Sequence, residues 1–278
     1  MLNYESGHIP INVTKYDSTG KNFYGSYGIF NASELMHPFL ISSEGMVSVY
    51  SYNESNKQYF LNYTIDLGME ITGKLIEARD LDGDGLTDLL LFSEEELSWY
   101  IFEVDTHQFV YNNSISPVED ITYPFTVTQP TLTTYKMQKE EGLNVGYLGI
   151  QSQETSFVCR LEFDKFLNYA QPSTATNLSA GTLITEMEIV NERVYLGLLD
   201  MLAGKDYSDI SSLDLSLDYS SYQYFDTNIQ GKILEITKYR SPHGDIMVFG
   251  ISMDKYGQDD RVLYYKYDVY QKKWYRTS

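Results

Sequence analysis

The sequence predicts an all-β protein made of repeated four-stranded antiparallel units. Short apolar runs recur along the chain at nearly constant spacing, and segments of alternating apolar and polar residues bounded by Gly, Asn, Asp and Ser lie between them. The 26 tyrosines indicate the same class, because tyrosine suits half-exposed strand surfaces. No long helical periodicity occurs, which argues against helical solenoids and βαβ folds.

The apolar runs define the repeat. Successive runs are 50, 57, 49 and 51 residues apart and begin at Pro38, Asp88, Val145, Val194 and Asp245. Another strand-like segment and a turn precede each run, an alternating segment follows it, and most repeats add a poorer fourth strand. Four antiparallel strands repeated at this period are typical of a β-propeller blade.

Five blades are predicted within a single propeller domain that spans residues 1–278. Their expected ranges are 22–66, 70–115, 128–171, 181–229 and 231–278, with an extra or closing strand at 8–16. The chain begins with this orphan strand and stops after a fourth strand. Two alternatives therefore stay open: a closed five-bladed ring, or part of a ring of six or seven blades.

The second blade carries a loop that predicts one Ca²⁺ site. In "ARDLDGDGLTDLLLF" (78–92), the expected ligands are the carboxylates of Asp80, Asp82, Asp84 and Asp88 and the carbonyl of Leu86. Calcium takes six to eight oxygen ligands from such flexible loops. An EF-hand is not indicated, because its bidentate Glu would fall at Leu91 and because both flanks read as strands rather than helices. The prediction is a calcium loop bridging a β-hairpin.

The spacing D-h-D-x-D-G-h-x-D (h, apolar) between two strands resembles the FG-GAP/VCBS repeat family, which includes integrin α-subunit heads and the T-cell immunomodulatory protein. The runs "YLGI" (147–150) and "MVFGISMD" (247–254) are similar to the apolar-Gly part of that repeat. The resemblance implies a calcium-bearing, usually seven-bladed propeller at the cell surface or in the secretory pathway. The resemblance implies calcium ligands only in the loop at 80–88, because the other repeats lack enough carboxylates.

Composition restricts the partners. The formal net charge of −19 repels phosphate backbones and anionic lipid surfaces, so nucleic acid is not an expected partner. No apolar run of 18 residues exists, so direct membrane insertion is not expected either. Protein partners are expected instead, either a companion subunit or the remaining blades of a larger propeller, and a glycan is a further candidate.

Glycosylation signals favour an extracellular, cell-surface or secretory-lumen location. About two N-x-[ST] acceptor patterns are expected by chance, whereas the chain has six. They lie at Asn12, Asn31, Asn53, Asn62, Asn112 and Asn177. Cys159 is the only cysteine, so no intrachain disulfide can form.

A search for catalytic motifs finds none. The four histidines do not pair at metal-ligand spacing, and neither G-x-S-x-G nor G-x-G-x-x-G occurs. The expected function is therefore non-enzymatic: a calcium-stabilised propeller that mediates protein–protein interaction or adhesion. A carbohydrate-binding, lectin-like propeller is the alternative. A propeller glycoside hydrolase stays third, because sequence spacing does not reveal an acid/base carboxylate pair.

Overall fold

The computed structural model describes most of the chain between residues 23 and 277. The described ranges are 23–31, 36–71, 75–93, 95–153, 155–164, 174–178, 180–190, 192–200, 207–240, 246–253, 260–268 and 273–277. Within them the regular structure is β-strand, apart from a short 3-10 helix at Tyr219–Ser221. No helix in these ranges is long and apolar enough to cross a membrane.

In the part of the chain that the structure describes, twenty strands form five four-stranded antiparallel sheets, which are numbered here as blades 1 to 5. Blade 1 contains β1 (Phe23–Gly28), β2 (His37–Ser42), β3 (Met46–Asn53) and β4 (Gln58–Asp66). Blade 2 contains β5 (Leu75–Arg79), β6 (Asp88–Phe92), β7 (Leu97–Glu103) and β8 (Gln108–Ile115). In each blade the strands are hydrogen-bonded in chain order, as the repeat predicts.

The other three blades follow the same up-and-down order. Blade 3 contains β9 (Thr131–Glu140), β10 (Leu143–Gln151), β11 (Ser156–Phe163) and β12 (Thr174–Asn177). Blade 4 contains β13 (Thr182–Val190), β14 (Arg193–Asp200), β15 (Tyr207–Asp214) and β16 (Gln223–Gln230). Blade 5 contains β17 (Lys232–Arg240), β18 (Ile246–Met253), β19 (Asp260–Asp268) and β20 (Lys273–Thr277).

The coarse fold prediction is confirmed: the chain is all-β and is built from four-stranded antiparallel propeller blades. The fourth strand of blade 3, β12, lies past the predicted boundary at residue 171. The predicted extra strand at 8–16 lies outside the described residues.

Burial explains why second strands read as apolar runs and fourth strands do not. In β10, seven consecutive residues from Asn144 to Ile150 are buried, since neighbouring elements cover both faces of this strand. In β4, only Ile65 is fully buried, so the strand has little need for apolar residues. The last strand of each blade lies at the edge of its sheet.

The chain divides into two compact units. The first holds blades 1 and 2 (residues up to 93, and 97–113), with a core that centres on Phe30, Phe39 and Phe102. Phe30 packs edge-on against both partners, with ring centroids 5.4 Å apart in each pair. The second unit holds blades 3 to 5 (residues 94–96 and 114–278), with a core around Tyr147, Met187 and Leu196.

A recurring bulge distinguishes the first strands of the second unit. Each of these strands has one extra residue that has no opposite residue in the partner strand. The extra residues are Thr133 in β9, Thr185 in β13 and Leu234 in β17. These first strands lie side by side from blade to blade, as the innermost strands of consecutive propeller blades do. Bulges re-aim the residues that follow them and are frequent next to active sites.

Candidate functional site

The calcium loop predicted from the sequence adopts a tight turn between β5 and β6. Gly83 and Gly85 have φ of 94° and 88°, which is the left-handed region that favours glycine. This curvature points loop amides inward. Asp80 accepts hydrogen bonds from Gly83 N through Oδ1 (2.6 Å) and from Gly85 N through Oδ2 (3.2 Å). The Asp80 carboxylate therefore lies at the centre of the loop.

Three of the four predicted carboxylates come together. Oxygens of Asp80, Asp82 and Asp88 all lie within 4.8 Å of one another. Two oxygens bound to one Ca²⁺ at 2.3–2.6 Å can be up to about 5 Å apart, so this group fits the ion. Asp84 does not belong to it. Its Oδ1 instead accepts a hydrogen bond from Leu86 N at 2.7 Å.

Asp88 is the buried member of this group. Its side chain is 0% exposed, and it accepts hydrogen bonds from Leu81 N through Oδ2 (2.7 Å) and from Phe102 N through Oδ1 (2.9 Å). Burial raises the pKa of Asp88 to about 7, against the lowering effect of these amides. Burial also raises the pKa of Asp82, with a further contribution from the charges of Asp84 and Asp80. A bound cation would offset both costs.

A second polar cluster lies on the first strands of blades 3 and 4, within one compact unit. Lys136 Nζ lies 3.4 Å from Glu188 Oε2, and Thr134 Oγ1 lies 3.5 Å from Glu186 Oε1. The side chains of Lys136 and Glu188 are 25% and 13% exposed, so the cluster is partly desolvated yet open to solvent. We call Thr134, Lys136, Glu186 and Glu188 the inner-strand cluster.

The two glutamates of the inner-strand cluster share one side of β13. They are two residues apart beyond the bulge at Thr185, so their side chains project in the same direction. Each carboxylate also accepts a hydrogen bond from the next backbone amide, from Met187 N and Ile189 N respectively, at 2.9 Å in both cases. A pair of partly exposed carboxyl groups is the basic requirement for acid/base chemistry on a glycosidic bond.

A third polar cluster is built for rigidity. Glu140 Oε2 accepts a hydrogen bond from Arg160 Nη2 at 2.8 Å, and Oε1 accepts from Tyr147 and Gln138 at 2.6 Å each. Burial alone would raise the pKa of Glu140, but these hydrogen bonds outweigh it and hold the pKa below its usual value. Arg160 also pairs with Glu162. Because every member has a partner, the cluster ties β9, β10 and β11 together.

Trp99 and the single cysteine belong to the buried core. Trp99 and Cys159 are 0% exposed, and burial raises the pKa of the Cys159 thiol to about 12, as expected for an inert core thiol. His8 and His243 lie outside the described residues. Of the acceptor asparagines, Asn12 also lies outside the described residues. The other five lie within them, and they are Asn31, Asn53, Asn62, Asn112 and Asn177.

Sequence reasoning missed the inner-strand cluster. Thr134 and Glu186 are separated by 52 residues, and so are Lys136 and Glu188, which is one blade repeat. Polar residues two apart in a first strand could have signalled it, since the segments "TLTTYKM" and "TLITEMEIV" both contain such pairs. The bulge shifts the side-chain parity, however, and it is not evident from the sequence.

No family model matches this chain, and no curated protein matches it either. Among solved structures, it is similar to the exo-β-1,3-galactanase of Phanerochaete chrysosporium bound to β-1,3-galactotriose. The TM-score is 0.53 at 11% identity, over 90% of this chain and 62% of the galactanase chain. At such identity the similarity shows the fold, and that fold is the β-propeller.

Two further solved structures are similar with lower scores. One is the endo-1,4-β-xylanase of Bacteroides thetaiotaomicron, with a TM-score of 0.46 at 10% identity over 92% of this chain and 90% of the xylanase. The other is BBS1N in complex with ARL6DN, with a TM-score of 0.45 at 8% identity over 87% of this chain and 78% of that chain.

These comparisons correct two predictions. The sequence predicted a non-enzymatic propeller for protein–protein interaction or adhesion, and it predicted that the chain is not an enzyme. Both predictions are contradicted by the solved structures that share the fold at a TM-score of 0.53, which are those of an exo-β-1,3-galactanase. The search for contiguous catalytic motifs did not test for carboxylates two residues apart on one strand, such as Glu186 and Glu188.

Proposed function

We propose that this chain is a carbohydrate-active β-propeller that hydrolyses glycosidic bonds, with Glu186 and Glu188 as its acid and base. The observation that carries the proposal is the placement of both carboxyl groups on one side of the first strand of blade 4. One carboxyl protonates the leaving oxygen, the other activates water, and the water oxygen bonds to the anomeric carbon as the glycosidic bond breaks.

The placement of the pair supports this chemistry. Glu186 and Glu188 are neighbours on one side of β13, with Cα atoms about 6.7 Å apart along the strand. Glycoside hydrolases place two carboxyl groups next to one scissile bond. The neighbouring Lys136 ammonium and Thr134 hydroxyl supply donors that can orient sugar hydroxyl groups.

The substrate class proposed is a neutral glycan. A net charge of −19 disfavours anionic polysaccharides, because the field of the protein repels them at long range. The galactanase with the similar fold was solved with a neutral β-1,3-linked galactose oligomer, which supports the same class.

The test is release of reducing sugar from a panel of neutral substrates, including β-1,3-galactan, xylan and aryl β-glycosides. We expect activity from the wild-type chain and a loss of about 10²–10⁴-fold in Glu186→Gln and in Glu188→Gln. The matched control is Glu192→Gln, which changes an exposed carboxylate in the turn that follows β13 and should keep full activity.

Two outcomes would oppose the proposal. Activity that survives both substitutions would place the chemistry elsewhere. Binding of glycans without hydrolysis on any substrate would exclude the enzyme.

We also propose that one Ca²⁺ stabilises the β5–β6 hairpin. Asp80, Asp82 and Asp88 would hold it, and the ion would supply positive charge to a loop in which burial and like charges raise carboxyl pKa values. The ion has a structural role here, distant in sequence from the inner-strand cluster. An extracellular or secretory-lumen location is proposed on the same basis as before, the six acceptor asparagines and the loop's resemblance to FG-GAP/VCBS repeats.

A further inference from the structure

Two acceptor asparagines occupy the same place in consecutive blades. Asn62 lies in β4 and Asn112 in β8, the fourth strands of blades 1 and 2, and they are 50 residues apart. Asn62 and Asn112 are both exposed to solvent. The acceptor pattern thus repeats with the blade, which scattered chance patterns would not do.

Each of these asparagines directly follows two exposed apolar residues. Phe60 and Leu61 are 48% and 50% exposed, and Val110 and Tyr111 are 42% and 54% exposed. β4 and β8 are the last strands in the hydrogen-bonding order of their blades. An exposed edge strand with large apolar side chains is an aggregation hazard, which proteins reduce by covering or interrupting the edge.

Local geometry at Asn62 suits an attachment point. Val49 pairs with Tyr63 and Tyr50 with Leu61, so Asn62 is the extra residue of a bulge in the edge strand. A bulged residue has no opposite partner in the ladder, and the strand bends there. A bulky group on Asn62 therefore would not disturb the pairing of β3 with β4.

We propose that N-linked glycans on Asn62 and Asn112 cover the apolar outer edges of blades 1 and 2. The occupant of each edge is then the protein's own carbohydrate, not a partner protein. Asn177 lies exposed on β12, the fourth strand of blade 3, and extends the pattern to a third edge. Asn53, by contrast, is half-buried at the end of a third strand. This inference does not depend on the proposed hydrolase activity.

The modification is a glycosyl transfer from a lipid-diphosphate-linked oligosaccharide. The side-chain amide nitrogen of Asn62 or Asn112 bonds to C1 of the first sugar and loses one proton. The bond from C1 to the diphosphate oxygen breaks, and the lipid diphosphate leaves. The attached glycan is bulky and strongly hydrated, so it separates the apolar edge from other chains.

The first test is intact-mass measurement of the full chain directed into the secretory pathway of eukaryotic cells. Asn62→Gln and Asn112→Gln should each lose the mass of one glycan. Tyr63→Phe and Asn113→Gln are matched controls, because they change the middle residue and keep the acceptor patterns Asn62-x-Thr64 and Asn112-x-Ser114. Masses of Asn62→Gln and Asn112→Gln that differ from the wild-type mass only by the methylene group that each substitution adds would overturn the proposal.

The second test concerns the covering role. Native enzymatic removal of the glycans should increase binding of an apolar fluorescent dye and shift the protein toward larger species in light scattering. Replacing Phe60, Leu61, Val110 and Tyr111 with Ser should abolish both changes. If deglycosylation altered neither dye binding nor size in the wild-type chain, the glycans would not cover these edges, and an edge already paired with another protein would be indicated instead.

Discussion

Gly149 shows how tightly consecutive blades pack in the second unit. A Cβ at this position would lie 2.6 Å from Thr134 Cγ2, 3.0 Å from Thr133 Oγ1 and 3.1 Å from Ile184 Cγ2. Gly197 occupies the equivalent position one blade later, where a Cβ would lie 3.1 Å from Ile233. The glycines leave room for the bulged first strand and for the first strand of the next blade.

We predict that Gly149→Ala destabilises the protein by about 1–3 kcal/mol, because the added methyl group overpacks the contact with Thr134. Urea unfolding followed by circular dichroism measures the change. Thr134→Ser removes the Cγ2 methyl, so the double variant should recover part of the loss. Equal destabilisation with and without Thr134→Ser would show that this contact is not the cause.

Glu140 is a second residue whose environment affects the pH dependence of stability. Its folded-state pKa lies below the ordinary value of 4.5, so the unfolded chain binds its proton more readily. The stabilisation is therefore present above pH 4.5 and is lost as the pH falls through the lower folded-state pKa. Because the group is partly exposed, it contributes no more than about 1 kcal/mol.

We predict that Glu140→Gln is less stable than the wild type at pH 7, and that the difference shrinks as the pH falls below about 4.5. The chain has 39 acidic residues. Comparing the two chains at each pH cancels the contribution of the other 38 to the pH dependence of stability. Thermal melts across pH 3–7 supply the measurement. A difference that stays constant over this range would mean that the Glu140 charge contributes nothing to stability.

The β5–β6 hairpin is the element that the sequence predicted most completely. Its carboxylates come from nine consecutive positions, so the chain alone brings Asp80, Asp82 and Asp88 together once Gly83 and Gly85 bend it. The position of Asp84 was not predictable in the same way. Here it lies outside the group of three, and its Oδ1 accepts a hydrogen bond from the Leu86 amide.

We predict that saturating Ca²⁺ raises the melting temperature of the wild-type chain by about 5 °C or more, because about 100-fold excess over the dissociation constant stabilises by about 2.7 kcal/mol. Asp82→Asn should abolish the shift, and Asp105→Asn, an exposed carboxylate in the β7–β8 turn, should preserve it. Calorimetric titration should give one site. A melting temperature unaffected by Ca²⁺ and chelator would mean that the loop is an ordinary acidic turn.

The first strands show where prediction from sequence stopped. Period-2 patterns and turn residues mark the strands because they depend on local alternation between buried and exposed positions. The contacts of the inner-strand cluster cross one blade repeat, and they leave no local pattern in the sequence. Fold class and the spacing of Glu186 and Glu188 were therefore within reach of the sequence, whereas their contacts with Lys136 and Thr134 were not.

At the scale of the whole molecule, the acidic charge and the propeller blades both bear on the proposed function. The net charge of −19 is expected to repel phosphate-rich and anionic ligands, and Glu186 and Glu188 lie on a first strand that is partly open to solvent. Propellers support many functions on one architecture, so the function is proposed from the site rather than from the fold. The site proposed here is the inner-strand cluster.

The most direct test of the hydrolase is product analysis in oxygen-18-labelled water. The wild-type chain is incubated with neutral β-linked oligosaccharides, and the released sugars are examined at once by mass spectrometry. We predict one labelled oxygen at the new anomeric centre with the wild-type chain, and none above background with Glu186→Gln or Glu188→Gln. Unlabelled, uncleaved oligosaccharides with the wild-type chain would contradict it.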